Sequence, residues 1–183
     1  MNQTSMSSDR VCTSCALIAL IARIQAIPKQ LNNWLRSHGQ ESAPIFLRLL
    51  LAYEFGEAGL EKLHGDNWFA YLDFPFPFSL LPPDLSWTLA TGLEIIGPIA
   101  FSFGLMIRFF SAALIVLTIV AIAAVHWPTE WHSLAELWKG YAITNQGYGN
   151  FKLPLIYLLM LSALLLSGGG RFSIDAWLTK RSP

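Results

Sequence analysis

The sequence predicts an all-α membrane protein: a four-transmembrane-helix bundle with an N-terminal interfacial helix and two aromatic outer connectors. Three observations carry that prediction. The 183-residue chain is 54% hydrophobic and only 13% charged, whereas roughly a quarter of a soluble domain is charged. Its apolar residues gather into long runs, and a span needs about 20 of them. Between the runs lie two stretches crowded with Trp, Tyr and Phe, side chains that settle at the membrane interface. The net charge of +0 offers no field for nucleic acid, so the lipid bilayer is the first partner to expect.

The elements follow in order. Residues 1–42 read as a cytoplasmic tail and an amphipathic interfacial helix, VCTSCALIALIARIQAIPKQLNNWLR. Its apolar run is too short to span, Arg23 and Pro28 interrupt it, and Trp34 is placed to anchor it. A fifth span over Val11–Ile27 would bury Arg23, which is costly. Cys12 and Cys15 form a lone CxxC with no second pair to complete a four-thiolate zinc site. They read as two small apolar residues on that helix, and their role stays open.

The first span is expected between Pro44 and Asn67. It carries Ile45, Phe46, Leu47, Leu49, Leu50 and Leu51, but also Arg48, Glu54, Glu57, Glu61 and Lys62. Each charge at bilayer depth costs roughly 2.5–3.5 kcal/mol, so these side chains should face neighbouring helices or a polar cavity. At about 100° per residue, Arg48, Ala52, Phe55, Gly59 and Lys62 share one face, and Glu54, Glu57, Glu61 and His64 a second. Small residues such as Gly59 let another helix approach.

Pro75, Pro77, Pro82 and Pro83 exclude a regular helix from the connector after Asn67. The second span is expected over Leu85–Met106, with Asp84 as its N-cap and Glu94 near its middle. A short link at Ile107 and Arg108 leads to the third, Phe109–Val125, closed by His126. In the second connector, Ser133 and Glu136 have the spacing of a capping box, and Gly147 and Gly149 mark turns. The fourth span, Leu153–Ser167, ends at three glycines. A short basic tail follows, with 179–183 cytoplasmic. Arg10, Arg23, Lys29, Arg36, Arg108, Arg171, Lys180 and Arg181 collect on the terminal side, which places both termini in the cytoplasm and the chain in the inner membrane.

Arg48, Phe55, Gly59 and Lys62 in the first span, Glu94 in the second, Gly104 and Arg108 at the link, and GGGRFSID after the fourth together resemble the DoxX family. The resemblance covers about residues 44–178 and gives the 43–178 domain a four-helix membrane bundle. AYEFGEAGLEKLHGDNWF and GYGNFKLPLIYLLMLSALLLSGG resemble the HvfX-type subgroup. Ala58 stands where the family often has histidine. The subgroup is associated with systems that make small, modified, metal-handling peptides, and the wider family includes subunits of a thiosulfate:quinone oxidoreductase.

The resemblance thus implies an accessory component of a metal- or redox-handling system, holding a protein or modified-peptide partner at the membrane. The alternatives are a membrane subunit of a quinone-linked oxidoreductase, with quinone as cofactor, and a small transporter. Whether the chain is catalytic is not set by any motif: no Walker A loop or dinucleotide fingerprint is present. Two constellations carry chemistry. Arg48, Glu54, Lys62, Glu94 and Arg108 are expected to form an intramembrane polar network. Glu57, Glu61, His64 and His126, at the outer end, have the ligand types for copper or zinc.

Overall fold

The computed structural model describes residues 29, 31–33, 39, 42–128, 131–139 and 150–181. The chain divides into two units, Met1–Glu41 and Ser42–Pro183. In the first, the described residues 29, 31–33 and 39 are helical; the rest of the expected interfacial helix and the Cys12–Cys15 pair fall outside the described residues, as do Gly147 and Gly149. In the second, the described residues form helices and turns and no strand.

The first helix, α1, covers residues 42–64. It stops short of Asn67 because Gly65 bends the chain. Two 3-10 turns follow, Phe69–Tyr71 and Phe78–Leu80, which is as much helix as the prolines allow. Helix α2 is Pro83–Phe103. Pro83 takes the first helical position, where its missing N–H costs nothing, so Asp84 lies inside the first turn and is not the N-cap. Gly104, at φ 72°, ends the helix three residues before the expected Met106.

Helix α3 is Ile107–Ala121 and continues as a π turn over Ile122–His126. It begins two residues early because the Asp175 carboxylate accepts from the backbone N–H of Met106 and Ile107, at 2.8 and 2.9 Å. Helix α4 is Leu134–Lys139, opened by the expected pair: the Glu136 N–H donates to Ser133 Oγ, and the Glu136 carboxylate reaches back to the His132 N–H. Helix α5 is Lys152–Ser167. The tail forms a further helix, α6, Ile174–Arg181, with the Ser173 hydroxyl accepting from the Ala176 N–H as an N-cap.

Leu51 and Phe55 of α1, Phe101 of α2, Ile107 and Leu114 of α3, and Leu161 and Leu164 of α5 form one core. Around it the outer surface is greasy: Phe46, Tyr53, Ile96, Phe103, Phe109 and Leu159 are all more than half exposed. A soluble monomer rarely shows so continuous an apolar face. Among the described residues one helical stretch, Ile107–His126, is long and apolar enough to cross a membrane, with a mean hydropathy of 2.4. Only 17% of its apolar window is buried inside the protein, unlike the core helix of a soluble fold. Lys152–Ser167 is apolar but shorter. Helices α1 and α2 carry more charged and polar side chains, Arg48, Glu54, Glu57, Glu61 and Lys62 on α1 and Asp84 and Glu94 on α2.

Candidate binding site

A cavity of about 560 Å³ opens between α1, α2, α3, α5 and the aromatic connector. That is the size range of small-molecule sites. Trp68, Phe69, Phe74 and Phe78 cover one side. Their rings lock together edge to face: Trp68 and Phe69 lie 5.0 Å apart, Phe69 and Phe74 5.2 Å, and Phe69 and Trp87 of α2 5.0 Å. The folded connector thus has an aromatic core of its own, seated on the start of α2.

Two polar pairs face the cavity. Lys62 Nζ donates to Glu94 Oε2 at 2.6 Å, with the two side chains only 16% and 6% exposed. Gly59, one turn before Lys62, makes this pair possible. A Cβ there would stand 2.7 Å from the Glu94 carbonyl oxygen, so only glycine lets α1 approach the α2 backbone closely enough for the ammonium to meet the carboxylate. In the second pair, the Tyr157 hydroxyl of α5 donates to Glu54 Oε2 of α1. The Tyr157 ring also packs against Phe55, with centroids 5.8 Å apart. Among the described residues, Lys62 and Glu54 each hydrogen-bond through their side chains only to that one partner. Lys62 keeps donors, and Glu54 an oxygen, for a guest.

The expected polar network therefore divides. Lys62 and Glu94 are brought together, Glu54 is held by Tyr157, and Arg48 belongs elsewhere. Arg48 is 3% exposed. Its Nε donates to the Phe101 carbonyl and its Nη2 to that of Ser102, at 2.8 and 3.1 Å, while Nη1 donates to the carbonyls of Gly169 and Phe172 at 2.8 and 3.1 Å. One guanidinium fork thus closes the end of α2 onto the segment after α5. Arg108 is exposed, with a long 3.5 Å contact from Nη2 to the Leu166 carbonyl.

The candidate metal ligands are dispersed. Glu57 is exposed. His64 is tied through Nδ1 to the Leu60 carbonyl of its own helix, and His126 pairs through Nδ1 with Asn150 Oδ1. Glu61 and His126 line the cavity. Among the described residues no group of three or more His, Cys, Asp or Glu side chains could hold a metal ion, so the expected quartet is not gathered. Helical spacing put Glu57, Glu61 and His64 on one face but could not bring His126 to them.

The sequence reading missed Tyr157, which looked like one aromatic in an apolar run, and Asp175, which looked like part of a tail. A tyrosine opposite a partly buried carboxylate on a neighbouring helix has no local motif. Asp175 did have one, since Ser173 and Asp175 form an N-terminal helix signature.

Residues 43–127 match the DoxX family. A protein of Haemophilus influenzae described as uncharacterized is 41% identical over 141 residues, covering 76% of this chain and 85% of that protein. No solved structure matches.

Proposed function

Because the chain belongs to the DoxX family of membrane proteins, we propose that it is the membrane subunit of a quinone-linked oxidoreductase, with the cavity as the quinone site. In this reading α1, α2, α3 and α5 all cross the inner membrane, both termini are cytoplasmic, and the cavity lies toward the outer face. The observation that carries it is the Lys62–Glu94 pair at the cavity's polar end. The Lys62 ammonium is matched by Glu94, and the one hydrogen-bonded oxygen of Glu54 is held by a neutral phenol. A paired ammonium at one end of a cavity whose other walls are mainly apolar, Glu54, Glu61 and His126 apart, suits a neutral ring bearing carbonyl oxygens, which can accept from the remaining N–H groups of Lys62. When bound, a quinone supplies two-electron redox chemistry. The residues bind and orient the ring, and Tyr157 with Glu54 holds a proton at its edge.

The test is binding to purified protein in lipid nanodiscs. A neutral benzoquinone should quench tryptophan fluorescence saturably through Trp68, which lines the cavity. Lys62→Met should weaken that binding by about tenfold, the loss of one charge-assisted hydrogen bond. Quenching that never saturates, or that Lys62→Met leaves unchanged, overturns the reading.

The resemblance to HvfX-type chains supplies a second reading, a small modified peptide or its copper or zinc as cargo. A peptide that saturates the cavity and displaces nothing when quinone is added would favour it.

A further inference from the structure

The cavity reaches well past its polar end. Helices α2 and α3 leave their short link and make a close contact at Gly97, where an added Cβ would come within 3.2 Å of Leu114. The α2 residues that line the cavity, Ser86, Leu89, Ala90, Leu93 and Glu94, all lie on the far side of that contact from the link. On α3 the lining runs from Ala113 onward into the π turn. The cavity therefore occupies the slot left as the two helices separate.

That slot has an open flank. Leu89 and Val116 belong to its wall, yet they are 57% and 49% exposed. Exposed wall residues on both helices fit a slot that opens sideways, between α2 and α3. The α3 side of the opening is the stretch apolar and long enough to cross a membrane. An opening there meets hydrocarbon, not water. Apart from Ser86 and Thr118 its walls are apolar, and Ala90, Ala113 and Ala121 leave room along it.

From this geometry we infer that the ligand enters laterally from the bilayer, and that the α2–α3 slot holds the hydrocarbon tail of a molecule whose neutral, oxygen-bearing head lies at Lys62 and Glu94. The inference rests on the quinone reading for the head and adds the tail and the route. A tail in the slot stays in contact with lipid while the head is held. A tail leaving lipid gains no hydrophobic transfer energy, so its added grip comes from close packing against the slot walls and comes on top of what the head binds alone. A phospholipid acyl chain could fill the same slot without a quinone head, and the experiment separates the two.

The full chain in nanodiscs is titrated with two benzoquinones of identical ring, one carrying a ten-carbon tail and one without. Ala90→Phe and Ala121→Phe fill the slot from opposite walls. Unmodified protein should bind both probes, after correction for partition into lipid, with the tailed one tighter. Each variant should lose about tenfold in affinity for the tailed probe and clearly less for the tail-less one. Equal affinity of the unmodified protein for the two probes, or variants that bind both as before, overturns the slot and leaves the quinone site standing. Failure of both probes to bind the unmodified protein overturns both. If the tailed probe competes no better than added phospholipid, the slot is a lipid groove and the inference fails.

Should the bulky variants not fold, Ala90→Cys replaces them. It should react with a membrane-confined maleimide, above the background of Cys12 and Cys15 in the unmodified chain, and the tailed probe should slow that reaction where the tail-less probe does not. No added labelling, or equal protection by both probes, also overturns the lateral slot.

Discussion

The chain places two cations, Arg48 and Lys62, on the same face of one helix, and the structure uses them in opposite ways. Arg48 has its guanidinium shared among four backbone carbonyls on two segments. Around it the backbone is packed tight: a Cβ at Gly104 would lie 2.6 Å from Ser173 Cβ and 3.0 Å from Arg48 Cζ. Lys62 meets one carboxylate and borders a 560 Å³ space. A buried polar group with all its partners supplied by the protein acts on the fold. A polar group with capacity left over, beside a space that can hold a guest, acts on the guest. The difference separates a structural end of the helix cluster from a binding end, and each of the predictions below tests it.

The largest expected effect is at the structural end. Arg48→Leu strands carbonyls at the end of α2 and after α5, each worth about 1–3 kcal/mol when left buried and unpaired. A loss of about 4 kcal/mol or more is expected, enough to abolish cooperative unfolding in detergent for a domain of ordinary stability. Arg48→Lys should recover little, because an ammonium cannot reproduce the planar fork. Gly104→Ala attacks the same end through the backbone, where φ is 72°. It should cost about 1–3 kcal/mol through strain and overpacking, read as a fall in the thermal midpoint. If either protein unfolds like the unmodified chain, the Arg48 end is not what holds α2 to the segment after α5.

At the binding end the effects on the fold should be smaller and mutually cancelling. Lys62→Met leaves the Glu94 carboxylate without its partner and should cost about 1–3 kcal/mol. Glu94→Gln added to it should return much of that loss, because residues in one pair are not additive. A double variant as damaged as the sum of the two would mean that each residue serves the fold separately. Tyr157→Phe comes next. It removes the donor to Glu54 while keeping the ring against Phe55, so about 1 kcal/mol of stability is at stake. Quinone affinity should fall with it, since the Glu54 side chain then swings free of its position at the cavity edge.

Much of this arrangement was legible. Long apolar runs located α2, α3 and α5 to within a few residues, because helix ends are written locally: Gly104 and Gly168 supply the turn conformations that stop α2 and α5, and Ser133 with Glu136 announces α4. The excess of charge in an apolar α1 marked a helix whose Arg48, Glu54 and Lys62 each bond to another segment. What could not be read was which helix each charge would meet. Arg48 is bound to carbonyls 53, 54, 121 and 124 positions away, and a backbone carbonyl has no letter in the sequence. For the same reason the polar residues read as one network proved to be separate units, and the three metal candidates of one α1 face, Glu57, Glu61 and His64, were not joined by His126 from the end of α3. The cavity itself is lined by α1, α2, α3, α5 and the aromatic connector together, a matter of packing and not of motif.

The smallest expected effect is outside both ends, and it checks that burial is what sets the scale. Glu136 sits at the surface on α4. Its carboxylate accepts from the His132 N–H at 2.8 Å and lies 3.7 Å from the His132 ring, and the backbone amide first, then the ring and Lys139, hold the carboxyl below its usual range. A depressed folded-state pKa gives a contribution that is present above the unfolded value and is lost as the pH falls through the folded one. The unmodified chain should thus lose a little stability on the acid side that Glu136→Gln, which keeps an acceptor but cannot titrate, does not lose. Near neutral pH the variant should unfold within error of the unmodified chain, since exposed pairs of this kind contribute little. Thermal unfolding of both proteins across the acidic range reads this directly. A Glu136→Gln effect at neutral pH as large as that of Lys62→Met would show that burial does not separate these groups, and the contrast between a structural and a binding end would lose its physical basis.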